Sequence, residues 1–286
     1  MNVLVTPGSL TGLATLAVVT FVAGAVNAVA GGGTILTFPV LSAILPADPA
    51  RLVTANATST IGLWPGAIAG AWAYRSEREG QPPWGTWLLL PSVVGAVAGA
   101  LLVLVLPPRM FAICVPWLIL AAAILFALQP QVARLATVAG RARPLGGMEA
   151  APPVARTEPT AARLAAAAAL QFLVGVYGGY FGAGIGILML AVLGMLGLGD
   201  IHRLNAVKNV LGMAINGTAA VIFAAGSLLF GSHDVAWTHA VIMAVAAVLG
   251  GLVGANVARR LPATFVRRCV AAIAFALAGF YFFERL

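Results

Sequence analysis

The sequence predicts an all-α polytopic membrane protein built from two inverted-topology repeats. Three observations carry this expectation. Hydrophobic residues fill 61% of the 286 positions and charged residues only 8%, and the apolar runs repeatedly reach the roughly 20 residues a helix needs to cross a bilayer core. A glycine-broken apolar segment, GAVNAVAGGGTILTFPVL at Gly24 to Leu41, returns 151 positions later as GVYGGYFGAGIGILMLAV at Gly175 to Val192. The loop cations exchange sides between the two halves. A soluble core of this size would need far more polar covering, and barrel strands would alternate over about 10 residues instead of running continuously apolar.

Taken in order, the N-terminus MNVLVTPGSLTGL lacks the basic region of a cleaved signal peptide and is read as retained. A first apolar segment runs from about Ser9 to Ala30 and carries one strongly polar residue, Asn27, a turn before Gly31 to Gly33. A short helix from about Thr34 to Leu45 ends at Pro46, Asp48 and Pro49; at ~1.5 Å per residue it is too short to cross alone. The third segment, about Arg51 to Tyr74, is long enough to span, yet opens RLVTANATST, a polarity that lipid-facing helices avoid. The charged loop Arg75 to Pro83 is aqueous. Trp84 and Trp87 mark the interfacial start of a fourth segment ending at Leu106, whose GAVAGA offers a small-residue packing face. The fifth follows Pro107 and Pro108 and ends near Leu128. Gln129 to Thr160, rich in Pro and Arg, reads as a solvated linker, so the organisation is repeat 1–128, linker 129–160, repeat 161–286.

The second half repeats the first. An apolar segment from Ala161 to Phe181 meets the second glycine break; a short helix to Leu198 and a turn at Gly199 and Asp200 follow. A third segment from about Ile201 carries Asn205, Lys208, Asn209, Asn216 and Thr218; a fourth runs from about Trp237 to Ala258, and a fifth from Pro262 to Phe283. Here the offset becomes 155, pairing Gly95 with Gly250, Gly99 with Gly254, Pro107 with Pro262 and Cys114 with Cys269. A constant offset over two blocks is the mark of an internal repeat.

Charges set the orientation. With the basic linker inside, Arg75 and Arg78 share its side. The corresponding loop of the second half, Gly226 to Ala236, has no Lys or Arg and falls outside. Conversely Pro107 to Arg109 holds one cation, whereas its counterpart region holds Arg259, Arg260, Arg267 and Arg268. Thirteen of the 16 cations then lie inside, as the positive-inside rule asks, with both termini outside. This requires the glycine-joined segments of each half to make an even number of crossings, either none, as a re-entrant hairpin, or two.

The chemistry of the breaks points to an anion. Glycines let the backbone turn, and the short helix that follows presents unpaired N–H groups and the positive end of its dipole. The candidate binding residues are Asn27, Gly31, Gly32, Gly33 and Thr34 at the first break and Gly182, Ala183 and Gly184 at the second. Asn56 and Thr58 come from one third segment, and Asn205, Lys208 and Asn209 from the other. Lys208 is the only lysine; a cation there either snorkels or serves a polar interior. The glycines would also serve close helix packing, and the asparagines interhelical hydrogen bonding. Tyr177 and Tyr180 are read as packing residues.

Other classes fit less well. No carboxylate lies within an apolar segment, no nucleotide motif occurs, and no nucleophile and base pair for an enzyme is evident. Cys114, Cys269, His233 and His239 are too isolated to hold a metal. No cofactor and no nucleic-acid partner are expected.

The blocks AGGGTILTFPVL, RLVTANATST and YGGYFGAGIGILMLAVLGMLGLGDIHRLNAVKNVLG resemble the TauE/SafE family of membrane permeases over nearly the whole chain outside the linker, which is longer and richer in Arg than the family pattern. The resemblance implies movement or export of small sulfur-containing anions such as sulfite and organosulfonates. The expectation is therefore a bacterial inner-membrane, multi-pass secondary exporter with a cytoplasmic linker. Its partners would be a small anion and the bilayer, with a homo-oligomer left open. Alternatives are sulfur-anion uptake, an anion channel, or a non-transporting membrane scaffold.

Overall fold

The structure, a computed structural model, describes residues 9–73, 84–139, 160–196, 201–230, 235–257 and 263–283. Among these residues the regular elements are all helices: α1 (Leu10–Ala30), α2 (Thr34–Ile44), α3 (Arg51–Ala73), the single turn α4 (Trp84–Trp87), α5 (Leu89–Val105), α6 (Pro108–Ala139), α7 (Ala161–Tyr180), α8 (Ile185–Met195), α9 (Ile201–Phe230), α10 (Trp237–Val257) and α11 (Ala263–Phe283). The protein is an all-α polytopic membrane protein. Five described stretches are long and apolar enough to cross a membrane: Leu10–Asn27, Gly85–Val105, Pro108–Leu128, Ala161–Tyr180 and Ala206–Leu229.

Polarity is arranged inside out. Leu10, Val105, Trp87 and Phe283 are exposed, while Thr20, Thr37, Asn56, Thr58, Ser59, Gln171 and Lys208 are buried. Lipid takes the apolar exterior, and polar groups turn toward one another. This explains why α3, although 23 residues long, is absent from the five apolar spans. Its Asn56, Thr58, Ser59 and Thr60 are buried, and Ser59 shares a 2.6 Å hydrogen bond with Thr37 of α2.

The two short helices each have 11 residues, so both are far below spanning length. Two element ends differ from the sequence expectation. α6 continues to Ala139, past the expected linker start at Gln129, because QVARLATVA is built of residues that sustain a helix and the next glycine is Gly140. α8 stops at Met195 and not at Leu198. The expected aqueous loop Arg75 to Pro83, the turn Gly199 to Asp200 and most of the linker lie outside the described residues. So does 231–234 of the expected loop Gly226 to Ala236, whose first residues belong to α9.

Packing follows the repeat and interlocks the halves. α1 packs on α10, and its counterpart α7 packs on α5, the counterpart of α10. The contacts correspond residue by residue. A Cβ on Gly250 would collide with the Phe21 carbonyl oxygen, and one on Gly95 with the Phe172 carbonyl oxygen. Gly95 and Gly250 are 155 apart and Phe21 and Phe172 are 151 apart, the two offsets of the repeat. Close backbone approach at small residues replaces the hydrophobic drive that lipid cannot supply. Inside the bundle, Phe38, Phe111, Phe126 and Phe181 anchor one apolar cluster. Leu88, Met189, Leu193 and Leu211 anchor a second, beside α8 and α9.

Candidate functional site

At the first break α1 ends by turning its last amides onto Asn27. The Asn27 carbonyl oxygen accepts from the Gly31 N–H at 3.1 Å, and its side-chain oxygen accepts from the Gly32 N–H at 3.1 Å. Gly31 has φ 68°, a left-handed conformation that side chains disfavour. Gly33 caps α2 and its carbonyl accepts from the Leu36 and Thr37 N–H groups at 3.0 and 3.3 Å. A Cβ on Gly33 would stand 2.7 Å from the Ala23 carbonyl oxygen. In an unbroken helix ten residues span about 15 Å, so the chain has doubled back on α1.

The second break is pinned by Tyr177. Its carbonyl oxygen accepts from both the Phe181 and Gly182 N–H groups at 2.9 and 3.3 Å, and its hydroxyl donates to the Ala183 carbonyl at 2.7 Å. Gly182 and Gly184 have φ 79° and 75°. The Gly184 carbonyl then starts α8 by accepting from the Ile187 and Leu188 N–H groups at 3.0 and 3.3 Å. Tyr177 is thus a structural pin as well as a packing residue. Its mirror position is Val26, so nothing in the repeat marked it out.

The two breaks meet. A Cβ on Gly31 would stand 2.9 Å from the Gly186 Cα, one on Gly32 would stand 3.3 Å from the Gly184 N, and one on Gly182 would stand 3.8 Å from the Thr34 Oγ1. Residue numbers rise in one segment as they fall in the other. Two equivalent segments thus cross antiparallel, as a local twofold requires. Both short helices begin at this crossing, so the positive ends of their dipoles and their early helix amides lie there.

Beside the crossing lies a small cavity of ≈ 30 Å³. Asn27 and Gly31 line it from the first half, with Ala67, Gly70 and Ala71 of α3. From the second half come Ile185, Gly186 and Met189 of α8 and a face of α9 made by Lys208, Asn209, Gly212, Met213 and Asn216. Lys208 is only 3% exposed. Asn216 also approaches the second break, its Oδ1 lying 3.5 Å from where a Gly182 Cβ would be. Three amides and one ammonium therefore share a cavity with the start of α8. A compact anion is the complement of such a set.

The structure gathers the expected residues unevenly. Asn27, Gly31, Lys208 and Asn209 line the cavity; Gly32, Gly33, Thr34, Gly182, Ala183 and Gly184 form the adjoining crossing. Asn56 instead ties α3 to the second break, its Nδ2 donating to the Tyr180 carbonyl at 3.0 Å. Thr58 is engaged elsewhere: its hydroxyl accepts from the Ala236 N–H at 3.1 Å, at the entrance to α10. The Asn205 side chain lies outside the described residues. Asn216 and Met213 join the cavity because positions 208, 212 and 216 and positions 209 and 213 fall on one helical face, a spacing visible once Lys208 is taken as origin. Among the described residues no cluster of metal-ligating side chains occurs.

A family model described as "Sulfite exporter TauE/SafE" matches residues 16–281. Over 271 residues the chain is 29% identical to "Probable membrane transporter protein ORF9" of a Sinorhizobium species, covering 93% of this chain and 90% of that one. Over 266 residues it is 24% identical to a "Probable membrane transporter protein" of Haemophilus influenzae, covering 93% and 92%. No solved structure matches.

Proposed function

Because the chain belongs to the TauE/SafE family of membrane transporters, we propose that it exports a small sulfur-containing oxyanion, such as sulfite or an organosulfonate, across the inner membrane as a secondary carrier. In this reading the anion sits at the crossing of the two breaks. The early amides of α2 and α8 approach its oxygens, Asn209 and Asn216 orient it, and Lys208 balances its charge. Asn27 acts one step back, since its side chain accepts from the Gly32 N–H and so fixes the first break. The observation that carries the reading is the buried Lys208 in a cavity lined by Gly31 of the first break and by Ile185 and Gly186 at the start of α8. A buried positive charge set beside three side-chain amides and the start of α8 makes this cavity complementary to an oxyanion. Two halves set in opposite orientation would let the same site face either side in turn, and the exchange of loop cations between the halves supports that arrangement.

The test is flux of labelled sulfite from proteoliposomes under imposed anion, proton and sodium gradients. The wild-type protein should move sulfite. Lys208→Ala at normal membrane abundance should lower the rate by about 100-fold, the scale of losing a charge-assisted contact in a dry site. Lys208→Ala transporting at the wild-type rate would remove Lys208 from the site. Purified wild-type protein that moves no sulfur anion would favour the scaffold alternative.

A further inference from the structure

The cavity is narrow for a reason that can be assigned to one side chain. Met189 is completely buried on α8, and its Cε lies 3.6 Å from where a Cβ on Gly212 of α9 would stand, facing it from the neighbouring helix. The thioether therefore packs between α8 and α9 in the cavity wall and ends in the space that Gly212 leaves by having no side chain. Met213 borders the same cavity from α9. The ≈ 30 Å³ that remains is room for about two water molecules.

The repeat supplies an internal comparison. The position equivalent to Met189, 151 residues earlier, is Phe38 on α2. Phe38 is completely buried, edge-on to the Phe181 ring at 5.4 Å and tilted against Tyr281 at 6.2 Å. The same helical position thus carries a rigid ring packed into an aromatic cluster in one half and a flexible thioether beside the polar cavity in the other. Methionine has three rotatable bonds and yields by small amounts. It can admit a bare SO₃ head by a rotamer change, whereas an organic arm on that head meets the packed walls of α8 and α9.

We propose that Met189, together with Met213, is the size filter of this site, admitting compact inorganic oxyanions and rejecting the same head group carrying an organic arm. This rests on the sulfur-oxyanion reading above and narrows its substrate class. The test compares labelled sulfite with labelled ethanesulfonate, which differ in the arm, in proteoliposomes of the full-length protein. The wild-type protein should favour sulfite by about tenfold or more, the discrimination that tight apolar packing supplies. Met189→Ala should raise the ethanesulfonate-to-sulfite ratio by about tenfold, and Met213→Ala should raise it in the same direction. Met213 is only half-buried, so it carries the test even where Met189→Ala fails to reach the membrane. Wild-type protein that carries both anions equally, or variants that keep the wild-type ratio, overturns the filter and leaves the carrier reading standing. Wild-type protein that moves neither anion overturns both.

Discussion

Tyr177 joins the second break to the helix that precedes it, through one hydroxyl donating to the Ala183 carbonyl. Tyr177→Phe keeps the ring and leaves that carbonyl without its donor, a cost of about 1–3 kcal/mol for a buried group. The expected outcome is a lower unfolding temperature in detergent together with slower sulfite flux. A variant that matches wild type in both measurements would show that the glycines alone hold the turn. At this scale the sequence was legible where a polar residue stood alone in an apolar run. Asn27 and Lys208 stood out, and both border the cavity. It was less legible where polar residues clustered, because hydrogen bonding between helices uses the same side chains as ligand binding. Thr58 and Asn56 looked alike beside the glycine motifs, yet one serves the entrance to α10 and the other the end of α7. Met189 carried no sequence signal, since a methionine on an apolar helix is ordinarily core.

Among the elements, the short helices were legible because their lengths are bounded on both sides, by a glycine break and by a turn or stop. The end of α6 was not, because Gln129 and Pro130 imitate a linker start while the residues after them still sustain a helix. The doubling back of α2 onto α1 follows from an even number of crossings, which the loop charges ask for, but those charges are the same whether the pair re-enters or spans. What fixes these elements to one another is backbone contact at glycine. Gly95→Ala and Gly250→Ala each place a methyl against a carbonyl oxygen of the partner helix, Phe172 and Phe21 respectively. Both oxygens are backbone and cannot turn aside, so α5 must withdraw from α7, or α10 from α1. Each substitution should cost about 1–3 kcal/mol, read as a reduced monodisperse fraction and a lower unfolding temperature. Because the two sites are equivalent in the repeat, the two losses should be similar. A drop in one variant alone would mean that the halves do not share their packing.

On the scale of the whole molecule, the repeat extends beyond glycines. Thr20 and Gln171, 151 positions apart on α1 and α7, are both completely buried, and the segments Gly31 to Thr34 and Gly182 to Gly186 cross antiparallel. A twofold relation between halves is compatible with an axis along the membrane normal or within the membrane plane, and only the second inverts the repeat. Packing alone does not distinguish them, because helix contacts are the same whichever way the bilayer lies; loop charge does. Our proposal of inversion therefore places Ser76, beside Arg75 and Arg78, on the cytoplasmic side, and Ser232, in a loop without Lys or Arg, on the periplasmic side. With Cys114 and Cys269 replaced by alanine, Ser232→Cys should react with a membrane-impermeant maleimide in intact spheroplasts. Ser76→Cys should react only in inverted vesicles. Labelling of both from the same side would make the repeats parallel. In that case the two short helices would enter from one face, and a site at their crossing would have no symmetric route to the other.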